Sequence, residues 1–222
     1  MIKAVFFDLD GTLADTAPDL AMALNDLLDE ERRPAIPFNS IRPVVSHGGN
    51  ALLRLGFNME ESDPGFPALR ERFLRIYENR LHQDTNLFPG MDNVLARIES
   101  TGRVWGVITN KPEWLTLSLL RKLGLESRAA CIVCGDSVKE RKPHPAPMLH
   151  ACQLTSMQPA SSLYIGDAER DIVAGKAAGM HTLVALYGYI DNHENPETWQ
   201  ADGMISAPHE IMAWIERLNQ KP

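Results

Sequence analysis

Two aspartates lie one residue apart near the start of the chain, directly after a short apolar segment. Asp8 and Asp10 follow the residues Ala-Val-Phe-Phe at positions 4–7, and Gly11 comes next. A buried strand that ends in two carboxylates carries costly charges to its carboxyl end, which is where open α/β sheets bind ligands. Side chains two positions apart share a face of a strand, and like charges about 4 Å apart repel by about 4 kcal/mol in a protein-like dielectric. We therefore expect a hard divalent cation between Asp8 and Asp10.

Further polar residues end or follow later strand-like segments. Thr109 and Asn110 end one such segment, and Asp167 follows another and begins a stretch that contains Asp171. Lys142 precedes a proline in the loop before a helix-like stretch. Each of these has a simpler structural interpretation, because Thr and Asn are common in turns and acids at a helix start act as caps and dipole partners. The spacing alone leaves both interpretations open.

Strand-like and helix-like segments alternate over most of the chain, and this order indicates how the polar side chains are brought together. Apolar, β-branched stretches predict strands at about 3–8, 104–109, 130–134, 162–165 and 182–186. Apolar residues at helical spacing predict helices at about 114–123, 146–152, 170–178 and 211–218. Because a β-α-β-α order with short connections builds a parallel sheet covered on both faces, we predict an α/β fold.

Residues 16–86 interrupt this alternation, because they show helical periodicity without convincing strands. The apolar residues that recur on two helical faces are Leu20, Ala23, Leu24, Leu27 and Leu28, and then Leu69, Phe73, Ile76, Tyr77 and Leu81. We predict a helical cap domain over 16–86 and a catalytic core over 1–15 and 87–222. Residues 14–17 and Gly90 are the expected hinges between the two.

The composition excludes several classes of protein. Of the 222 residues, 44% are hydrophobic and 23% charged, with a formal charge of -7, which argues against disorder and against nucleic-acid or anionic-membrane partners. Neither a membrane-length apolar segment nor a signal-peptide pattern is present, so we expect a cytoplasmic protein. Three cysteines without scaffold spacing argue against a disulfide framework. A monomer and a homodimer are equally compatible with the sequence.

Together the polar residues resemble the four motifs of the haloacid dehalogenase (HAD) superfamily. The motifs are Asp8-x-Asp10-Gly11-Thr12, Thr109-Asn110, Lys142-Pro143, and Gly166-Asp167 with Asp171. They occur in order, each at the carboxyl end of a predicted strand or in the loop that follows, which is far more specific than any one motif. The resemblance covers nearly the whole chain and implies a Rossmann-like parallel-sheet core with an inserted helical cap of the C1 type. It also selects Lys142 over the neighbouring Lys139 and Arg141, because Lys142 alone of these three precedes a proline.

The resemblance implies a Mg²⁺-dependent phosphoryl transfer. Asp8 would be the nucleophile that forms an aspartyl-phosphate, and Asp10 would protonate the leaving alkoxide and later deprotonate water. Mg²⁺ would offset the charge of the phosphoryl group. Its implied ligands are Asp8 and Asp167 through carboxylate oxygens, Asp10 through its backbone carbonyl, and Asp171 directly or indirectly.

Three residues are implied for the phosphate group itself. The Thr109 hydroxyl and the amide of Asn110 would hold phosphate oxygens, and Lys142 would offset the charge of Asp8 and of the phosphate. Thr109 and Lys142 thereby join Asp8 and Asp10 as implied catalytic residues.

Asp10, the second aspartate of the first motif, restricts which reaction of the superfamily we expect this chain to catalyse. Dehalogenases lack an acid at the position of Asp10, and phosphonatases use a cap lysine, whereas residues 16–86 contain no lysine. We therefore expect a phosphomonoester hydrolase. A sugar-phosphate mutase of the β-phosphoglucomutase type remains an alternative because it shares every core motif, and a phosphate-binding regulatory module is the non-enzymatic alternative.

Substrate choice is expected to lie in the cap. Residues 46–50, Ser-His-Gly-Gly-Asn, form a polar interruption that could reach over the pocket, and the candidate substrate-binding residues are His47, Gly48 and Arg54, with Arg42 nearby. His47 and Asn50 could instead only cap a helix. The pattern is similar to bacterial phosphoglycolate phosphatases and, more narrowly, to the proteobacterial branch that hydrolyses N-acetylmuramic acid 6-phosphate in peptidoglycan recycling. The expected partner is therefore a small phosphate ester, with 2-phosphoglycolate as the alternative substrate.

Overall fold

The computed structural model describes residues 1–191 and 193–220 and is built around one sheet. Its six strands, in order from one edge to the other, are β5 (Ile132–Val133), β4 (Val104–Ile108), β1 (Ala4–Phe7), β6 (Ser162–Gly166), β7 (His181–Ala185) and β8 (Gly203–Ile205). All neighbouring pairs are parallel. The predicted α/β fold is therefore confirmed, and β1 lies in the middle of the sheet.

Helices cover both faces of this sheet. They are α5 (Met91–Ser100), α6 (Glu113–Lys122), α7 (Ala146–Thr155), α8 (Glu169–Ala177) and α9 (Glu210–Gln220). Alternate residues of β1 enter different hydrophobic clusters, since Val5 and Phe7 pack with residues of α5, α6 and α9, whereas Ala4 and Phe6 pack with α7 and α8. This alternation is the two-residue period of a strand, and it explains why the first strand of the chain reads as an unbroken apolar run.

The inserted segment is helical, as its periodicity indicates. It contains α1 (Ala17–Glu30), α2 (Phe38–Ile41), a 3₁₀ helix (Arg42–His47), α3 (Gly49–Phe57) and α4 (Phe66–Arg80). Helices α1 and α4 pack together through their predicted apolar faces, with Leu24, Leu27 and Phe73 fully buried. A short antiparallel pair joins the two ends of the insertion, because β2 (Ala14–Asp15) pairs with β3 (Asn86–Leu87). The division into cap and core at these residues stays a prediction.

Some elements have no counterpart in the sequence prediction. Helix α5, strand β8 and the β2–β3 pair were not expected, and β5 is shorter than the predicted 130–134 strand. The β2, β3 and β8 strands have only two or three residues, which is too short for an alternating pattern to stand out. Among the described residues, none of the helices combines the length and apolar character that a membrane crossing requires.

Candidate active site

The carboxyl end of β1 is the point at which the strand order of the sheet reverses. The chain leaves β1 for β4 on one side and reaches β6 on the other, so the loops after these three strands diverge. Asp8 directly follows β1, Thr109 follows β4 and Asp167 follows β6. A crevice of this kind is where open α/β sheets bind ligands. A cavity of about 300 Å³ opens here, with Asp8, Thr109 and residues of the inserted helices in its wall.

Three buried carboxylates lie together at the floor of this crevice. Carboxylate oxygens of Asp8, Asp167 and Asp171 lie within 4.8 Å of one another. Burial, followed by the charges of Asp8 and Asp171, raises the pKa of Asp167 to about 7. Burial also raises the pKa of Asp8, although the ammonium of Lys142 opposes that shift. Crowded, desolvated oxygen donors of this kind match the preferences of a hard divalent cation, and the residues present therefore fit Mg²⁺.

Lys142 is the basic group at the centre of the cluster. Its buried Nζ lies 2.9 Å from Asp8 Oδ1 and 2.7 Å from Asp171 Oδ1. It also donates to the Ile108 carbonyl at 3.0 Å and to the Tyr164 hydroxyl at 2.8 Å. The sequence-based choice of Lys142 thus corresponds to a lysine that contacts the expected nucleophile directly.

The side chain of Asn110 holds the loop that carries Lys142. Its Oδ1 accepts from the Lys142 backbone N–H at 3.1 Å, and its Nδ2 donates to the Lys142 carbonyl at 3.0 Å. Thr109 lies beside it, and its hydroxyl oxygen accepts from the Lys111 backbone N–H at 3.2 Å. Both residues line the cavity. The Asn110 side chain is thus occupied in positioning Lys142.

Asp10 differs from the expectation that it shares one cation with Asp8. Its Oδ1 lies 2.9 Å from the Nζ of Lys111 and accepts from the Thr16 hydroxyl at 2.7 Å. Its carboxylate does not belong to the three-carboxylate cluster found among the described residues. Chain geometry explains the difference, because β1 ends at Phe7 and the backbone already turns at Asp10. Each aspartate consequently has its own lysine.

The turn after Asp10 permits the close approach of Asp167. Gly11 has a φ of +85°, and a Cβ there would lie 2.1 Å from Asp167 Oδ2. Both the left-handed backbone and the absence of a side chain are therefore required at this position. The hydroxyl of Thr12 donates to Asp167 Oδ1 at 3.2 Å. In the first motif, Gly11 thus leaves room for the Asp167 carboxylate of the fourth motif, and Thr12 donates a hydrogen bond to it.

The inserted segment contacts the floor of the site through the 3₁₀ helix. The Ser46 hydroxyl donates to Asp167 Oδ2 at 2.6 Å, and Arg42 donates to the Gly188 carbonyl at 3.0 Å. Arg42 therefore fastens this helix to the core and does not lie in the cavity wall. His47, Gly48 and Arg54 do line the cavity, and Arg54 also pairs with Glu61 at 3.0 Å. Their role in substrate binding stays a prediction.

The sequence analysis missed Lys111 and Arg170, two basic residues that contact or face the carboxylates of the site, and also Arg70 in the cavity wall. Lys111 directly follows the Thr-Asn pair, and a lysine adjoining a strand-end motif is the only signal that could have found it. Arg170 precedes Asp171 in an otherwise acidic stretch, and it donates to the Ser46 carbonyl. Burial lowers the pKa of Arg170, but the charges of the three clustered carboxylates outweigh burial and raise it. Its Nε is buried without a partner among the described residues.

Known proteins resemble this chain over nearly its whole length. The family model for haloacid dehalogenase-like hydrolases matches residues 5–185. An N-acetylmuramic acid 6-phosphate phosphatase of Pseudomonas putida is 41% identical over 97% of this chain and 96% of its own length. A phosphoglycolate phosphatase of Xanthomonas campestris pv. campestris is 42% identical over 94% of each chain.

A solved structure agrees with these relatives. The crystal structure of a predicted phosphoglycolate phosphatase from Haemophilus somnus superposes with a TM-score of 0.86 at 27% identity, covering 96% of this chain and 97% of the other. The fold, the four motifs at the strand ends and the match of the family model lead to one conclusion. The chain belongs to the haloacid dehalogenase-like hydrolases.

Proposed function

We propose that this chain is a Mg²⁺-dependent phosphomonoesterase that acts on a small phosphorylated metabolite through a phosphorylated Asp8. The observation that carries the proposal is the position of Asp8, a buried carboxylate in the cavity wall that contacts Lys142 and adjoins Asp167 and Asp171. An ionised carboxylate needs no activation beyond in-line positioning to attack a phosphoryl group. The phosphatases named among its relatives support the same reaction class.

In the first half of the reaction, a carboxylate oxygen of Asp8 forms a bond to phosphorus. The bond from phosphorus to the ester oxygen breaks, its electron pair stays on that oxygen, and Asp10 gives the oxygen a proton so that an alcohol leaves. In the second half, Asp10 takes a proton from water while the water oxygen bonds to phosphorus. The bond between phosphorus and Asp8 breaks, which returns the carboxylate and releases inorganic phosphate.

The remaining residues of the site bind and orient the phosphoryl group. Lys142 offsets the negative charge of Asp8 as the two anions approach, and the Thr109 hydroxyl together with the Asn110 backbone N–H can donate to phosphate oxygens. When bound by Asp8, Asp167, Asp171 and the backbone carbonyl of Asp10, Mg²⁺ supplies positive charge that polarises the phosphoryl oxygens. The site geometry and the family pattern support these assignments.

The nucleophile assignment is tested by Asp8→Asn. This change keeps the shape of the side chain but removes the attacking anion, so phosphate release should fall by at least about 10³-fold. Asp29→Asn, which alters an exposed aspartate in α1, is the matched control and should leave turnover unchanged. Thermal unfolding of both variants checks the fold. Turnover by a folded Asp8→Asn variant at the wild-type rate would refute the covalent mechanism.

N-acetylmuramic acid 6-phosphate is the best candidate substrate. The cavity of about 300 Å³ combines an apolar side, formed by Val45, Phe73 and Leu74, with polar groups that include His47 and Arg70. An N-acetyl methyl and a lactyl carboxylate match these two kinds of surface. The relative from Pseudomonas putida, whose name specifies this substrate, aligns over almost its full length. The second candidate is 2-phosphoglycolate, which is supported by the relative from Xanthomonas campestris.

A substrate panel separates these candidates. We expect kcat/KM for N-acetylmuramic acid 6-phosphate to exceed the values for 2-phosphoglycolate and for hexose phosphates in the presence of Mg²⁺. A large preference for 2-phosphoglycolate would replace the first candidate by the second. Conversion of a hexose 1-phosphate to its 6-phosphate without net phosphate release would indicate a mutase. Phosphate binding without turnover, whatever the metal or pH, would indicate a phosphate-binding regulatory module.

A further inference from the structure

A chain of polar contacts connects Asp10 to a helix of the inserted segment. The Nζ of Lys111 lies 2.9 Å from Asp10 Oδ1 and donates to the Tyr77 hydroxyl at 2.8 Å. Tyr77 belongs to α4 and is buried, and the ammonium group also lies 4.5 Å from the centre of its ring. Lys111 follows β4 in the sheet. The expected acid/base residue is thus in contact, through one lysine, with the part of the chain that covers the cavity.

The contacts at Asp10 distinguish its two carboxyl oxygens. Lys111 and the Thr16 hydroxyl both approach Oδ1, at 2.9 and 2.7 Å. Within residues 1–191 and 193–220, Oδ2 accepts no hydrogen bond. Two fixed donors on one oxygen restrict rotation of the carboxyl group and leave Oδ2 as the oxygen that carries the transferable proton. Loss of either donor would let the carboxyl group turn away from the ester oxygen.

The charges of the group suit this arrangement. Burial opposes a charge on Lys111, but the neighbouring Asp10 and Tyr77 outweigh burial and hold its pKa above the ordinary value. Burial is also the main reason that the pKa of Tyr77 rises to about 12. Lys111 is therefore an ammonium group at neutral pH, and it lies between the carboxyl group of Asp10 and the uncharged phenol of Tyr77. An ammonium group donates several hydrogen bonds at once, so Lys111 can hold both partners.

We propose that Lys111 and Tyr77 are positioning residues that orient the carboxyl group of Asp10 for proton transfer to the leaving oxygen. The inference rests on the proposed phosphatase function. Tyr77 fixes the ammonium group, the ammonium group fixes Asp10 Oδ1, and the proton on Oδ2 is directed at the ester oxygen. Proton transfer in this site therefore depends on α4 being packed against the core, and the same helix that bounds the substrate cavity sets the position of the acid.

The leaving group of the substrate provides the test. An alkyl alcohol is a poor leaving group and needs the proton from Asp10, whereas p-nitrophenolate leaves without one. Because kcat/KM reports the steps up to alcohol release, the ratio of kcat/KM for the best alkyl phosphate to that for p-nitrophenyl phosphate measures the contribution of the acid. Asp10→Asn sets the lower limit of this ratio, and we expect it to lie at least about 10²-fold below wild type.

Tyr77→Phe removes only a hydroxyl group, and Lys111→Met removes the ammonium group at similar volume. We expect both changes to lower the ratio by about 10-fold or more towards the Asp10→Asn limit, with kcat/KM for p-nitrophenyl phosphate largely kept. Lys122→Met is the matched control. Lys122 also joins the core to the end of the α4 segment, by donating to the Leu81 carbonyl at 2.9 Å, but it does not contact Asp10. It should leave the ratio unchanged.

Equal losses on both substrates would overturn the inference, because a structural role does not depend on the leaving group. A higher KM with unchanged kcat would also overturn it and make Tyr77 or Lys111 a substrate-binding residue. If Lys111→Met does not fold, Tyr77→Phe decides the question. Failure of the proposed function looks different, since wild type would then release no phosphate from either substrate, or Asp8→Asn would release it as fast as wild type.

Discussion

The metal-free protein should become more stable when Asp167 is replaced by asparagine, but only at high pH. Asp167 ionises with an ordinary pKa of 3.8 outside the fold, whereas in the fold burial and the charges of Asp8 and Asp171 raise its pKa to about 7. Between these values the folded state binds more protons than the unfolded state. Stability therefore falls as the pH rises from about 4 to about 7, and the full penalty is present above 7.

The structure gives the size of this effect. A shift of about 3 pKa units corresponds to about 4 kcal/mol, at about 1.4 kcal/mol per unit. An asparagine side chain keeps an oxygen for the Ser46 and Tyr189 donors, but weaker hydrogen bonds cost about 1 kcal/mol. The net gain for Asp167→Asn at pH 8 is then about 3 kcal/mol, or roughly 6–12 °C in Tm for a chain of this length. At pH 5 the difference should be within about 1 kcal/mol.

The assay is thermal or urea unfolding of wild type and Asp167→Asn in EDTA at pH 5 and pH 8, with Asp29→Asn as the exposed control. In saturating Mg²⁺ the order at pH 8 should reverse, because wild type gains the free energy of cation binding and the variant loses a ligand. The reasoning is refuted if Asp167→Asn is less stable than wild type by the same amount at both pH values in EDTA. An unchanged order in Mg²⁺ would argue against a cation at this cluster.

Three further changes address the insertion and the turn at the site. Asp19 is buried in α1 and accepts from the backbone N–H groups of Gln83, Asp84 and Thr85. Asp19→Ala should therefore lower the free energy of unfolding by about 3 kcal/mol in urea titrations, and an unchanged midpoint would contradict this. Gly11→Ala should lower activity at least about 10²-fold and weaken Mg²⁺ binding in calorimetry, because the added Cβ would displace the Asp167 carboxylate. A variant that binds Mg²⁺ as tightly as wild type would contradict this role of Gly11. His47→Ala should change kcat/KM unequally among phosphate esters, and an equal change for all of them would exclude His47 as a substrate-reading residue.

The sheet could be predicted because its four inner strands are apolar and buried and because most of the helices between them show clear periodicity. Strands β1, β4, β6 and β7 each have four or five residues, and all four lie within about two residues of their predicted positions. The order of the strands could not be read from their pattern. Nothing in an apolar run states which neighbour it pairs with, so the central position of β1 was not predicted.

The site residues could be predicted through their resemblance to the four HAD motifs, because residue type and spacing alone left a structural interpretation open. Asp8, Lys142, Asp167 and Asp171 were expected together, and the structure places all four in contact or within one cluster. Contacts that depend on the path of the backbone were not predictable. Treating Asp10 as part of a strand placed it beside Asp8, whereas the turn that begins after Phe7 directs its carboxylate to Lys111.

Contacts between the insertion and the core show most clearly which contacts a sequence pattern cannot predict. Tyr77 was expected in an apolar face of a helix, and its ring is indeed buried there, but its hydroxyl contacts Lys111, which follows β4. A helical period identifies which side of α4 is buried and says nothing about which core residue it meets. The amphipathic character of tyrosine is nevertheless a usable signal, because a buried phenol usually needs a polar partner. A tyrosine in an otherwise apolar helix face therefore indicates a polar contact across the interface, and in this protein that contact reaches the residue expected to move the proton.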